Sequence, residues 1–485
     1  MTNVKQLFAP KTSDISYIQE DQLLISLIFH LDSYKFSHPF AYPDGILAMT
    51  SYGESRLSKS SVVVPFGMQI LNKRFLSQTI TKANVDAAET FSIGHFGRKL
   101  FDRAAWDKVV EVYGGKLPLI IRSVPEGTVM SGGQPIYTVT VFDEDLFWMS
   151  AAYETLIQRA IWYPTTIVTN DYVIKQKIKA FYEATGADMG MLPFSYHDFG
   201  GRGVTCAEQA EIGGASHLVN FLGSDTVEGV LAANFFYKEA MSGFSVYATE
   251  HSVECSFGGS LEGARAYLRK QLSNAVPGGV ISIVLDGYDV YREAELLCTE
   301  FREQIIASGC KVVFRPDSGD MMEVVPRILA MQERAFGYKL TATGHKQIQH
   351  VGVIQGDGIN HESLINLLTL VVSLGYSADC VIFGSGGAML QKVNRDDLKF
   401  AQKACAILLA DGWKGIAKDP ITDHGKKSKE GVITLARNKT TGELSVERLD
   451  TGSLPDNLED VMQLNYYLGT LYNETTMADV RARVA

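Results

Sequence analysis

The sequence predicts an α/β protein: a parallel β/α barrel joined to a second, mostly antiparallel α+β domain. Three observations predict it. From about residue 181 onward, seven short apolar runs each end in a cluster of Gly, Asp, His or Arg: HDFGGRG at 197–203, NFLGSDT at 220–226, YATEHS at 247–252, LDGYD at 285–289, FRPDSG at 314–319, QGDG at 355–358 and FGSGG at 383–387. They recur at intervals of roughly 20 to 40 residues, what one strand, a crossover helix and their turns occupy. Before residue 180 the pattern differs, since Leu117 to Phe142 alternates apolar and polar residues and is cut by Pro125, Gly127, Gly132 and Gly133, as a meandering antiparallel sheet would be. Polar residues always at the end of the strand point to a barrel whose site gathers at that end. An open doubly wound sheet is the alternative, with its ligand at the same strand ends.

The domain division that follows is 1–180 for the first part of the antiparallel domain, 181–395 for the barrel, and 396–485 for a tail returning to the first domain. In the first part the apolar run from Leu23 to Phe29 falls well short of the ~20 residues of a spanning helix. Lys82 to Phe101 and Phe147 to Tyr163 read as helices flanking the meander. In the barrel, Val290, Ala294, Leu297, Phe301 and Ile305 share one helical face, with Arg292, Glu293, Glu295 and Glu303 elsewhere around the wheel. The tail carries KKSKEG at 426–431 and polar strand-like stretches.

Composition narrows the function. The 485 residues are 46% hydrophobic and 21% charged, which excludes a disordered chain. Lys plus Arg is 45 against 55 for Asp plus Glu, a formal charge of −10, and no basic block occurs. A duplex nucleic acid or an anionic membrane is therefore not the expected partner, and any anionic ligand must be met by local cations. The six cysteines, Cys206, Cys255, Cys298, Cys310, Cys380 and Cys405, form no CxxC pair, and a chain of this size needs no staples, so a reduced cytoplasmic protein is expected.

Several clusters can carry chemistry. FGSGG lies between the apolar Cys380-Val381-Ile382 and Ala388-Met389-Leu390, so it is a turn between strand and helix whose amides can face an anion, or a tight turn with no ligand. RPDSG sets Arg315 and Asp317 two apart at a strand end, as a phosphate fork beside a hydroxyl acceptor or as a simple ion pair. Asp289 reads best as a helix cap. His251 should face Asp286 from the next strand, which would fix its tautomer and leave the other nitrogen as base, nucleophile or phosphate acceptor. His197 competes for that role, with Asp198 pointing away from it. No HxH or HExxH spacing favours a metallohydrolase cage of His197, His251 and aspartates. Phe199 offers a face to a flat ring or to the core, Arg202 a cation for phosphate or for solvent. Asp225 could accept an exocyclic amide N–H or cap the helix at Thr226.

HDFGGRG, HLVNFLGSDTV, ATEHS, FRPDSG, VIQGDGI, FGSGGAMLQK and AKDP, with LDSYKFSH at 31–38, resemble in order the nicotinamide phosphoribosyltransferases, of the type II phosphoribosyltransferase family, from about Asp32 to Lys429. The resemblance implies an irregular α/β barrel beside an antiparallel domain. It implies formation of nicotinamide mononucleotide and diphosphate from nicotinamide and 5-phosphoribosyl-1-diphosphate in NAD salvage. Mg²⁺ would accompany the diphosphate, through ligands the sequence does not identify, and ATP hydrolysis would be coupled through a phosphohistidine in a homodimer with shared sites. The pyridine ring would lie between Phe199 and Tyr34 of the partner chain, with Asp225 taking the carboxamide. Arg202, Arg315, Gly386 and Gly387 would hold phosphate, while Asp317 and Asp357 would meet the ribose. Asp32 and Gly356 would complete the substrate-binding set. His251 would be phosphorylated, oriented by Asp286, and Arg56, Arg395, Lys403, Lys418 and Lys426 would come from the partner chain.

Three departures from the family pattern concern the pocket: Gly201 where tyrosine is common, Tyr247 and Thr249 in place of smaller or prolyl residues, and Gly352 in place of a basic residue. The transfer requires a loosened C1–diphosphate bond, nearby carboxylates for oxocarbenium charge and cations for the leaving group. It needs little proton transfer, so His251 makes better sense as a phosphate carrier. The competing reading is a nicotinate phosphoribosyltransferase, disfavoured because Asp225 would repel a carboxylate. A nucleotide-binding regulatory protein on the same scaffold is disfavoured by the retained histidine and carboxylates.

Overall fold

A computed structural model of the chain describes residues 26–422 and 427–485. The seven apolar runs form one parallel sheet, in the order Gly223–Ser224, Tyr196–Asp198, Val381–Ser385, Val351–Gln355, Lys311–Arg315, Val280–Val284 and Tyr247–Ala248. Each strand except Tyr247–Ala248 neighbours its predecessor in sequence, and the last, Val381–Ser385, pairs with the first, Tyr196–Asp198, through Gly384↔His197. An open doubly wound sheet cannot join its first and last strands in this way. At the remaining seam Gly223 bridges to Phe244, three residues before the Tyr247–Ala248 strand, which curls the sheet toward closure. The alternative of an open sheet is thereby overturned.

The antiparallel sheet runs Gly412–Gly415, Phe400–Leu409, Ala48–Ser55, Pro135–Val141, Ile120–Ser123, Gln463–Tyr467 and Thr470–Leu471. Both of its strands from the meander are present, and the tail returns to it twice: Ala48 pairs with Leu408, and Gln463 with Ser123. Its core includes the buried Trp106 and Trp148, whose rings meet edge to face at 6.0 Å.

Three helices differ from expectation. The Lys82 helix, opened by a Thr81–Asn84 capping box, stops at Phe96 because Gly97 takes a left-handed conformation (φ 65°). The helix expected to end at Tyr163 runs instead from Glu154 to Thr185, through Pro164. It bridges the two cores, with Ile157 and Ile161 in one and Ile167, Ile174 and Ile178 in the other. Tertiary packing on both sides outweighs the backbone bond lost at proline. The apolar face from Val290 to Ile305 is buried as expected, but it is carried by two helices, Val290–Cys298 and Arg302–Ser308. Thr299 breaks the run: its hydroxyl bonds back to the Glu295 carbonyl at 2.7 Å, and the Phe301 amide turns to Leu296 at 3.1 Å. Among the described residues no helix is long and apolar enough to cross a membrane.

Candidate active site

Every polar cluster lies where its strand ends, so the candidate residues converge at one end of the barrel. A cavity of about 240 Å³ follows the barrel axis. Its walls include Val280, the first residue of its strand, and Arg315, the last residue of the next. Val313, Ile354 and Ile382 make it apolar, while Phe199, Asp225, Ser245 and Arg315 supply the polar and aromatic features of one end. That composition suits a single flat ring with one polar substituent.

Phe199 follows the strand Tyr196–Asp198 directly, and its amide donates to the Ser385 carbonyl at 2.9 Å. Its ring lies on the backbone of Gly384, where a Cβ would stand 1.9 Å from Cε2, so glycine is required there. Gly356, on the neighbouring strand's end, leaves ordinary contact distance to the same ring edge and to Asp317 Oδ1, both 3.4 Å from a Cβ at that position. Phe199 is half-buried at the cavity and is not a core aromatic.

Asp225 is exposed and does not cap the next helix, whose cap is Thr226. Its carboxylate accepts the Ser245 hydroxyl at 2.5 Å. Ser245 was not legible as a site residue, since it lies between two motifs in a stretch with no pattern of its own. His197 is displaced as the competing catalytic histidine. Its ring packs on Gly223, its Nε2 donates to the Phe194 carbonyl at 3.0 Å, and burial pushes its pKa down to about 4 although Asp225 opposes the shift. It is a neutral wall of the cavity. Asp198 points the other way, accepting the Gly200 amide at 2.7 Å, and burial holds its carboxyl above the usual range.

His251 opens the helix His251–Cys255, and its Nε2 is 3.0 Å from Asp286 Oδ1, as the sequence placed them. The imidazole is 44% exposed while the aspartate is 3% exposed, so the buried carboxylate can orient the ring without blocking it. Asp289 caps the next helix by accepting the Tyr291 and Arg292 amides. Glu293, which falls off the apolar face of its wheel, is nonetheless buried against Glu254, and neither carboxyl is a candidate in the sequence. Glu254 follows His251 by one helical turn, a spacing that could have shown it.

Arg315 Nη2 is 3.4 Å from Asp317 Oδ2, a partly exposed pair. Arg315 Nε is buried without a partner among the described residues, a donor still available to an anion. Gly386 and Gly387 begin the short helix Gly387–Leu390, stacked on the turn of Gly201–Gly203, which carries the exposed Arg202. Asp357 is exposed at the next strand end, its carbonyl held by Gln355 at 2.9 Å.

The remaining candidates lie on the antiparallel side. Tyr34 is 56% exposed and does not line the cavity of its own chain. Asp32 accepts the Thr155 hydroxyl at 2.7 Å. Arg56, just past the end of the strand Ala48–Ser55, and Lys403, on the adjoining strand, lie beside Glu54 and Glu154, and Arg56 Nη2 is buried without a partner among the described residues. Burial, reinforced by Arg56 and Lys35, lowers the Lys403 pKa despite Glu154. Arg395 pairs with Asp396 at 3.1 Å, and Lys418 is held to Ser428 through its amide at 2.8 Å. Among the described residues no hydrogen bond or ion pair joins these groups to Phe199, Asp225, His251 or Asp317. Lys426 lies outside the described residues.

The departures have local explanations. A Cβ on Gly352 would meet Lys311 Cε at 3.2 Å, so a lysine from the neighbouring strand lies over that position. A Cβ on Gly201 would meet Thr226 Oγ1 at 3.2 Å. Thr249 is buried and accepts the Val284 amide at 3.0 Å, and the Tyr247 hydroxyl donates to Gln271 at 2.8 Å.

Comparison with known proteins gives a consistent pattern. The profile of the nicotinate phosphoribosyltransferase (NAPRTase) family matches residues 194–460, and that of the nicotinamide phosphoribosyltransferase N-terminal domain matches residues 26–121. The chain is 41% identical over 462 residues to a nicotinamide phosphoribosyltransferase of Xanthomonas campestris pv. campestris, covering 95% of this chain and 98% of that protein. A protein of the same name from Acinetobacter baylyi is 28% identical, with 94% and 96% covered. In fold the chain is similar to a nicotinate-nucleotide pyrophosphorylase of Pyrococcus furiosus (TM-score 0.62, 16% identity, 97% of each chain). It is also similar to human nicotinic acid phosphoribosyltransferase (TM-score 0.55, 14% identity, 93% and 92% covered).

Proposed function

Because the chain belongs to the nicotinamide phosphoribosyltransferase family, we propose that the barrel-end residues form nicotinamide mononucleotide and diphosphate from nicotinamide and 5-phosphoribosyl-1-diphosphate, a step of NAD salvage. The observation that carries the choice of substrate is the juxtaposition of Phe199 and Asp225 at one end of an apolar cavity. The ring of nicotinamide stacks on Phe199, and its carboxamide N–H donates to Asp225, whose other partner is the Ser245 hydroxyl. His197, kept neutral by burial, adds no cation that would favour a carboxylate ligand. This separates the reading from nicotinate transfer.

In this account Phe199 orients the pyridine nitrogen toward C1 of the ribose. Loosening of the C1–diphosphate bond builds positive charge at C1, which the Asp317 and Asp357 carboxylates stabilise. Arg202, the unpartnered donor of Arg315 and the amides at Gly386 and Gly387 hold phosphate oxygens. Gly356 lies at ordinary contact distance from both Phe199 and Asp317, within reach of a substrate held between them. Mg²⁺ bound to the diphosphate would neutralise leaving-group charge, and the exposed carboxylate of Asp357 fits as a neighbour for it. Tyr34, Asp32, Arg56, Arg395, Lys403, Lys418 and Lys426 act on the partner's site in a homodimer. The exposure of Tyr34 supports this. His251, accessible and oriented by Asp286, accepts a phosphoryl group from ATP and so couples ATP hydrolysis to the transfer. The setting is cytoplasmic, in keeping with six free cysteines.

The test is formation of labelled mononucleotide from radiolabelled nicotinamide, with and without ATP. Product that increases with ATP is expected; no product from nicotinamide under either condition would refute the assignment.

A further inference from the structure

Beside His251 lies a pair of buried carboxyls that the reaction above does not use. Glu254 is 2% exposed on the helix His251–Cys255, and its two oxygens accept the Gly287 amide at 2.9 and 3.0 Å. Gly287 directly follows Asp286, so the histidine helix and the Asp286 turn meet twice through carboxylates, besides a long contact of the Tyr288 hydroxyl with the Cys255 carbonyl at 3.5 Å. One contact is His251 Nε2 to Asp286 Oδ1 at 3.0 Å, and the other is Glu254 to the Gly287 backbone. The second is close enough that a Cβ on Gly287 would stand 2.6 Å from Glu254 Cδ.

Glu293, 1% exposed on the helix Val290–Cys298, supports Glu254 from behind. Its carboxyl meets that of Glu254, Arg292 Nη2 is 3.6 Å from its Oε1, and its Oε2 has no hydrogen-bond partner among the described residues. Two carboxyls in contact and out of water cannot both ionise cheaply, so the pair keeps a proton. Burial and the neighbouring Glu254 push Glu293 up to about 8. The other titratable or charged groups facing the pair are His251, Asp286, Arg292, Tyr267 and Tyr288. Two apolar side chains would fill the same volume without desolvating an acid, so the pair has an orienting role that packing alone does not require.

We propose that Glu254, hydrogen-bonded to Glu293, is a positioning residue for His251: the acid pair locks the Asp286–Gly287 turn against the histidine helix and holds Asp286 on Nε2. The proposal rests on reading His251 as the group that takes the phosphoryl. Neither glutamate lines the barrel cavity, so the phosphoribosyl transfer that proceeds without ATP does not depend on them.

The test uses the full-length enzyme and compares Glu254→Leu, Glu254→Gln and Glu293→Gln with wild type. Three rates are followed: labelling of His251 from γ-³²P ATP, ATP-stimulated mononucleotide formation, and basal formation without ATP. Displacement of a positioned group by a fraction of an ångström to 1 Å can cost up to ~100-fold, so Glu254→Leu should slow labelling and stimulated turnover at least about tenfold, with basal transfer within about twofold. Glu293→Gln keeps a donor for Glu254. It should retain coupling and lose the fall in coupled rate expected of wild type above about pH 8, where the second carboxyl ionises.

Wild-type labelling by a folded Glu254→Leu, or an equal loss of basal and coupled rates, would overturn the proposal. So would an unchanged alkaline limb in Glu293→Gln, a comparison that stands if Glu254→Leu fails to fold. A His251→Ala enzyme that still hydrolyses ATP would instead remove the phosphoryl reading. The positioning claim is then decided by the Nε2–H resonance of ¹⁵N-histidine-labelled protein, expected in wild type and lost in Glu254→Leu; its persistence in the variant would overturn it.

Discussion

Gly384→Ala should weaken nicotinamide binding without touching any group that contacts phosphate. The new methyl would stand 1.9 Å from Phe199 Cε2 and 2.2 Å from Cδ2, far inside contact distance. The backbone of Phe199 cannot retreat easily, because its amide is tied to the Ser385 carbonyl at 2.9 Å. The ring must therefore swing off the strand. Overpacking of this kind costs about 1–3 kcal/mol in stability. Loss of one aromatic face costs the ligand about 0.5–1.5 kcal/mol, which is about two- to twelve-fold in KM at 1.4 kcal/mol per factor of ten. The assay is mononucleotide formation with nicotinamide varied at saturating phosphoribosyl donor. The donor's own KM should stay close to wild type. A double-mutant cycle isolates the cause: with Phe199→Ala already in place there is no ring to displace, and Gly384→Ala should add less than about 0.5 kcal/mol. Full additivity, or an unchanged nicotinamide KM in a folded Gly384→Ala enzyme, would refute the placement of the ring.

Three further outcomes are expected. His251→Ala should abolish ATP hydrolysis and leave weak, ATP-independent transfer, because the imidazole does not line the cavity; surviving hydrolysis, measured as phosphate release, would remove its role. Mixing Tyr34→Ala with Phe199→Ala should restore activity in heterodimers, since one of two sites regains both aromatic faces; an inactive mixture despite proven subunit exchange would end the shared-site reading. For stability, His197 is depressed to about 4 from 6.5, so its contribution is complete above about 6.5 and is lost as pH falls toward about 4. His197→Gln should flatten that part of the profile of Tm against pH, and an unchanged slope would show that other groups carry it.

How far the sequence could be read depended on how local the cause was. The seven strand ends were legible because each couples an apolar run to a polar cluster within a few residues. The pairing of Val381–Ser385 with Tyr196–Asp198, which makes the barrel, joins segments nearly two hundred residues apart and left no mark on either. Pro164 would ordinarily end a helix, and only packing against two cores carries Glu154–Thr185 through it. In the site, His251 and Asp286 could be paired from their strand ends alone. Glu293 could not be placed, since its burial follows from a partner on another helix and not from its position on its own wheel. Ser245 likewise became visible only through Asp225.

The most direct test of the central claim is the ratio of kcat/KM for nicotinamide to that for nicotinate, measured on wild type and on Asp225→Asn. On the proposed placement the carboxylate would gain a charge-assisted hydrogen bond of roughly 1.5–3 kcal/mol from the amide. The acid offers no N–H there and adds like-charge repulsion, so together the two effects favour nicotinamide by about a hundredfold or more at 1.4 kcal/mol per factor of ten. In Asp225→Asn the repulsion is gone and a donor faces the ligand, so the ratio should fall by at least about tenfold. A wild-type enzyme that prefers nicotinate, or a ratio unmoved by the substitution, would contradict the account.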